Sequence, residues 1–281
     1  MMPDGENPVH FDLDAYLQRV EYAGELRPSR AALESLHVAH ATHIPFENLD
    51  ILLGRPISLD LASVQNKLVA LRRGGYCFEQ NLLFATALEA LGFNVTQLAA
   101  RVRLGSDVRR ARTHMMLLVD VDDARWLADV GFGASGSPWP VPFGGEQESC
   151  QSAWTYRVVA ADGQWLLQSR LDASWSDLYT FTLEPQQQVD YEMANHYTST
   201  YPASPFTQIV IAQRLAPDVR RMLRNREYSE DRGTSVTRRL LIDDDEVVDL
   251  LAAEFGLRFP AGTRFRYRDD AEGFQGSTKS T

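Results

Sequence analysis

The sequence predicts a multi-domain α+β protein: a helical bundle over 1–93, an antiparallel β domain of barrel type over 94–200, and a mixed α/β segment over 201–281. Three observations carry this. Capping residues precede apolar-periodic runs in the first third; from Val95 the pattern switches to short runs rich in β-branched and aromatic residues; and after Pro185 helix-like and strand-like stretches mix again. With 44% hydrophobic and 10% aromatic residues among 281, the chain can bury one large core or two to three smaller ones.

Taking the elements in order, Asp12 can cap a short helix reaching Val20, and Ser29 another that runs through Leu33, Leu36 and Val38. A third helix is expected at or near Cys77, because Gly74 and Gly75 allow a sharp turn and residues 78–91 are good helix formers up to Gly92. That stretch has few polar positions, so the helix is expected to be buried on most sides. Strand-type runs follow at 95–102, 114–121, 125–130, 154–160, 165–169 and 175–181. Asp122-Asp123 and Asp162-Gly163 are two-residue turn signals that make hairpins of their neighbours. A polar, helix-tolerant stretch after Pro185 leads to Tyr201, Pro202, Pro205 and an apolar run at 209–211; a late helix is expected over 243–255, and a disordered tail from about 269.

A net charge of −10 disfavours nucleic acid and anionic membranes as partners. Residues 1–14 are acidic and contain no apolar run of signal-peptide or membrane-span length, so a cytoplasmic protein is expected. The two cysteines, Cys77 and Cys150, are expected to be reduced, and without a CxxC pair they make no thiolate zinc site. Lys67 and Lys279 are the only lysines; the remaining positive charge is arginine.

Cys77 opens a helix after two glycines, where backbone N–H groups and the helix dipole favour a thiolate; it can equally be a small buried hydrophobe. A thiol nucleophile needs a base, and the base an orienting acceptor. If 114–121 pairs with 125–130 across Asp122-Asp123, Asp129 faces Met116 and becomes the diagonal neighbour of His114, within reach of its ring; a one-residue slip would separate them. A strand histidine near a strand aspartate can also be structural. His37, His40 and His43 recur every third residue near a helix end, a poor spacing for one metal ion, and are expected in a satisfied surface or core-edge role with no metal bound.

The run Arg72-Arg73-Gly74-Gly75-Tyr76-Cys77-Phe78-Glu79-Gln80-Asn81 closely resembles the nucleophile motif of arylamine N-acetyltransferases. Ile44-Pro45-Phe46-Glu47-Asn48-Leu49, Thr113-His114-Met115 and Trp126-Leu127-Ala128-Asp129-Val130-Gly131-Phe132-Gly133 agree in order, and a weaker likeness extends to Tyr201-Pro202-Ala203-Ser204-Pro205-Phe206. The resemblance implies a catalytic Cys77, His114 and Asp129 in a cysteine-protease-like arrangement. It also implies a helical bundle bearing the cysteine, a β-barrel bearing the histidine and aspartate, and an α/β lid. The tight Asp162-Gly163 connection fits the bacterial type, whereas the arginine-rich stretch 103–113 departs from the family pattern.

The implied reaction is ping-pong transfer of an acetyl group from acetyl-coenzyme A, a co-substrate rather than a permanently bound cofactor, to an arylamine, arylhydrazine or related amine. Phe46, Phe132 and Phe206 are then expected to line an apolar slot, with Gly131 and Gly133 admitting the pantetheine arm; each has a plain reading as core residue or bend. Arg220, Arg221, Arg224 and Arg226 can meet the nucleotide end of coenzyme A, but read more simply as a solvated helix face. Two rival enzymes use the same chemistry: an amide synthase acting on a carrier-bound acyl chain, and a transglutaminase or cysteine hydrolase.

Overall fold

In the computed structural model, which describes residues 11–268 apart from Gly105 and Asp107, the two expected caps are in place. Asp12 accepts the N–H of Ala15 and opens α1 (Leu13–Arg19); Ser29 accepts that of Ala32 and opens α2 (Arg30–His43). Each side chain satisfies an N–H that the helix itself leaves unpaired. Tyr16, Leu33 and Leu36 bury the inner faces of the two helices.

The first third holds more pieces than expected. β1 (Phe46–Glu47), α3 (Leu49–Leu52), α4 (Leu61–Gln65) and a π-helical turn at Asn66–Ala70 come before the cysteine, so the expected third helix is the fifth, α5 (Cys77–Ala90). Elements of two to five residues are too short to display a period. Ten of the 14 residues of α5 are buried, as its lack of a polar face requires.

The β domain is one antiparallel sheet of eight strands: β2 (Asn94–Val102), β3 (His114–Val121), β4 (Ala124–Ala128), β5 (Val141–Pro142), β6 (Ser149–Gln151), β7 (Trp154–Ala161), β8 (Gln164–Arg170) and β9 (Trp175–Phe181). Their order is β5-β4-β3-β2-β9-β8-β7-β6, curled so that β5 returns against β7 in a nearly closed barrel. Asp122 and Asp123 both have positive φ, 53° and 56°, and make the two-residue hairpin turn that sets Val121 opposite Ala124. Asp162 and Gly163 do the same between β7 and β8. The strand expected over 125–130 stops at Ala128, and Asp129 lies just past the ladder.

Strand β3 is the wall shared by barrel and helices. Met115, Leu117, Val119 and Val121 pack into the helical core with α5, while Met116 and Leu118 enter the barrel core. The two-residue period therefore sends His114 toward the barrel side of the wall that α5 backs.

The chain continues through α6 (Gln188–Thr200) and a 3-10 turn (Pro205–Thr207) into β10 (Ile211–Ala216), β11 (Val219–Arg224), β12 (Glu227–Asp231), β13 (Val236–Leu240) and α7 (Asp244–Phe255). These strands form a second antiparallel sheet whose first strand is β1, borrowed from the N-terminal third. The arginine run is therefore not a helix face: Arg220, Arg221 and Arg224 lie on β11, and Asn225 (φ 49°) with Arg226 turns the chain into β12. Arg220 is not solvated either; its guanidinium stacks 3.6 Å from the ring of Trp154 and donates to the Tyr156 hydroxyl. The tail expected to be disordered lies outside the described residues. No helix among the described residues is long and apolar enough to cross a membrane.

Candidate active site

The site is built outward from the start of α5. A Cβ at Gly74 would lie 2.1 Å from the Pro45 carbonyl oxygen, and one at Gly75 would lie 2.6 Å from the Glu79 carboxylate; neither glycine has positive φ. Both positions thus require glycine for close approach, rather than for the sharp turn the sequence suggests. Glu79 accepts the Tyr76 N–H at 3.1 Å and the Lys67 ammonium at 2.8 Å, and Lys67 also meets Asp50 at 2.9 Å. Burial raises the Glu79 carboxyl against the pull of Lys67. Arg73 joins Glu47 at 2.6 Å and Asp50 at 3.2 Å, so the charges beneath the helix start are paired.

Cys77, 4% exposed, sits at the first turn of α5 with Sγ 3.6 Å from the Thr113 carbonyl oxygen, and its side chain is close enough to that of His114 to favour charge on the ring. His114 Nε2 lies 2.6 Å from Asp129 Oδ2, which leaves Nδ1 for the thiol. Tyr179 Oη also donates to Oδ2 at 3.0 Å, while Asn81 Nδ2 and the Gly131 N–H donate to Oδ1, each at 3.0 Å. Four donors thus converge on one buried carboxylate. Burial alone would raise Asp129, but the imidazolium and these donors hold it below the usual carboxylate range. Burial likewise opposes charge on His114, yet Asp129 and the thiol push it up to about 10. Both partners thus favour the charged ring over the neutral one.

The structure brings His114 and Asp129 together across the hairpin register that the two-residue turn sets, with Cys77 beside His114. Phe132 stacks edge-on against His114 with ring centroids 4.9 Å apart; the Phe46 and Phe206 rings lie 6.1 Å apart, and Phe206 meets Tyr76 at 5.6 Å. All three phenylalanines are half-buried. A Cβ at Gly131 would lie 2.8 Å from the Cys77 Cα, and Gly133 has φ +69° with Gln213 Oε1 in the space of its absent side chain. Packing against α5 and against β10 therefore accounts for both glycines without a ligand. Cys150 is exposed on β6 and has the Thr155 hydroxyl at 3.9 Å for a neighbour.

Three contributors escaped the sequence reading: Asn81, Tyr179 and His37. Asn81 carried a signal, being four residues after Cys77 and so on the same helix face; Tyr179 carried none, since a strand 50 residues downstream of Asp129 supplies it. Among the described residues no group of three or more His, Cys, Asp or Glu is arranged to hold an ion. Nor do His37 and His40 lie at the surface or core edge, because both are fully buried. His40 Nε2 donates to Gln80 Oε1 at 2.7 Å and its Nδ1 accepts from Tyr16 at 2.9 Å, while the Gln80 amide caps the carbonyls of Ile44, Pro45 and Gly75.

Burial lowers His37 to about 4 and His40 to about 3. The folded protein holds both rings neutral while the unfolded chain protonates them below about 6.5. Their contribution to stability is therefore complete above that pH and is lost as pH falls toward 4 and 3. In a His40→Gln variant, proton uptake on unfolding at pH 5 should drop by about one relative to wild type. Calorimetry in two buffers of different ionisation enthalpy reads this directly, and an unchanged uptake would contradict a neutral His40.

The family model described as N-acetyltransferase matches residues 30–263. The arylamine N-acetyltransferase of Escherichia coli K12 is 37% identical over 248 residues, 87% of this chain and 88% of that protein. The crystal structure of Nocardia farcinica arylamine N-acetyltransferase superposes with a TM-score of 0.84 at 40% identity, covering 90% of this chain and 92% of that one. The Mycobacterium marinum arylamine N-acetyltransferase, solved in complex with CoA, gives 0.83 at 34% identity over 87% and 92% of the two chains. With a family match across most of its length and relatives of this identity, the chain belongs to the arylamine N-acetyltransferase family.

Proposed function

We propose that this protein transfers the acetyl group of acetyl-coenzyme A to the nitrogen of arylamines, arylhydrazines or related amines through an acetyl-Cys77 thioester. The observation that carries the reading is the buried relay in which the Cys77 thiol meets His114 and His114 meets Asp129 at 2.6 Å. The Cys77 thiolate attacks the thioester carbonyl, and the backbone N–H of Cys77, at the positive end of α5, is a donor for the oxyanion. Collapse of the tetrahedral intermediate expels coenzyme A thiolate, which takes the proton held by His114. The neutral imidazole then removes a proton from the attacking amine, and a second tetrahedral intermediate releases the acetylated product and the Cys77 thiolate. Thioester-for-thioester exchange is nearly balanced, so the intermediate stays reactive toward an amine.

Phe46, Phe132 and Phe206 are assigned to the apolar slot of the aromatic acceptor; Phe132 against the His114 ring supports that assignment. Gly131 and Gly133 line the approach of the pantetheine arm in the same reading. Intact-mass measurement after mixing with acetyl-coenzyme A alone should show one acetyl adduct, which disappears when an arylamine is added. Steady-state double-reciprocal plots should be parallel. Intersecting plots together with no adduct would replace the acyl-enzyme by direct transfer in a ternary complex, and adduct loss without acetylated amine would favour a hydrolase.

A further inference from the structure

Asp129 lies one residue beyond the end of β4, so its N–H is not taken up by the strand ladder. That N–H donates to His37 Nε2 at 3.1 Å, across 92 residues of sequence. An amide nitrogen can only donate, so Nε2 is the acceptor and the ring proton is on Nδ1. Nδ1 donates to the Pro138 carbonyl at 2.9 Å. One imidazole on α2 therefore holds both ends of residues 129–138, the segment that contains Asp129, Gly131, Phe132 and Gly133. The ring is fully buried and packs edge-on against Phe84 of α5 at 5.6 Å between centroids.

We propose that His37 is a positioning residue for the acyl-transfer site, which clamps residues 129–138 by their backbone and so sets the angle at which the Asp129 carboxylate meets His114. The inference rests on the reading of Asp129 as the residue that orients His114. Burial keeps the His37 ring in its neutral form, so the clamp stays closed across the working pH range. The groups that face His114 are Asp129, Cys77, Tyr179 and Phe132; His37 acts on the first of these through the main chain.

Two variants test the clamp. His37→Phe keeps an aromatic ring against Phe84 but removes both hydrogen bonds, and His37→Gln retains an acceptor for the Asp129 N–H. Single-turnover acetylation per folded molecule should fall about tenfold or more in His37→Phe and stay within about threefold of wild type in His37→Gln. The rate at which iodoacetamide alkylates Cys77 at pH 7 should fall about fivefold in His37→Phe, because a displaced Asp129 no longer supports the imidazolium beside the thiol, and should return in His37→Gln. A ring that only stabilises the fold would lower the melting temperature and leave both readings at the wild-type value, which overturns the proposal. Slowed acetylation with an unchanged alkylation rate overturns it too. If His37→Phe does not fold, His37→Asn, too short to reach the Asp129 N–H, takes its place, and equal rates for Asn and Gln variants overturn the clamp. Asp129→Asn on the same assay separates the two levels: unimpaired acetylation there removes the role of Asp129, whereas slow Asp129→Asn beside fast His37→Phe removes only that of His37.

Discussion

Cys77→Ser should fold as wild type does and transfer no measurable acetyl group. The hydroxyl fits the space of the thiol and keeps hydrogen-bonding partners in the Thr113 carbonyl and His114, so packing around the start of α5 is retained. The chemistry is not retained. A serine hydroxyl is far harder to ionise than a thiol, and His114, already protonated through Asp129, is a poor base for removing its proton. Turnover should fall below about 1% of wild type, and no adduct should form with acetyl-coenzyme A. More than a few per cent of residual turnover in a preparation free of wild type would displace Cys77 as the nucleophile. Cys150→Ser is the internal control: exposed on β6 with the Thr155 hydroxyl for a neighbour, Cys150 should be replaceable with near-normal activity.

What the sequence disclosed depended on how local the determining interaction was. The β3–β4 register was legible because Asp122 and Asp123 fix a two-residue turn, and that register alone brings His114 toward Asp129. The caps at Asp12 and Ser29 were legible for the same reason. Strand β11 was not. Val219 and Leu223 are buried four residues apart, which fits one face of a helix as well as one face of a strand, and Arg221, on that same strand face, reaches Glu230 at 3.2 Å and Glu254 at 3.4 Å. An arginine satisfied by carboxylates from β12 and α7 breaks the apolar alternation that would have marked the strand. The rest of the shell around Asp129 was hidden: its other donors come from α5, β9 and the next turn of its own backbone, and no local period links them. Glu79 is a middle case, since its place three residues after Tyr76 is a capping pattern but its buried pairing with Lys67 is tertiary.

Asp129→Asn should slow acetylation by at least about a hundredfold with little change in melting temperature. The four donors around the carboxylate decide how the amide must sit. Oδ1 receives the Gly131 N–H, which cannot reverse its polarity, and Asn81 Nδ2, whose partner oxygen already accepts the Val130 N–H at 3.2 Å. The amide oxygen is therefore held at the Oδ1 position, and the NH2 group falls where Oδ2 now accepts from His114 and Tyr179. The Tyr179 hydroxyl can rotate to accept, so the cavity stays satisfied and the fold stands. His114 has no such freedom: facing an N–H, its Nε2 must become the acceptor, which moves the ring proton to Nδ1 and leaves no lone pair there to take a proton from the amine. Loss of the negative charge also removes the main influence that holds the ring protonated, so thiolate and imidazolium no longer support each other. A purely structural aspartate predicts the reverse, a protein that melts early while its folded fraction acetylates normally. Single-turnover acetylation and a melting curve on one preparation distinguish the two, and near-normal acetylation by folded Asp129→Asn would take this residue out of the relay.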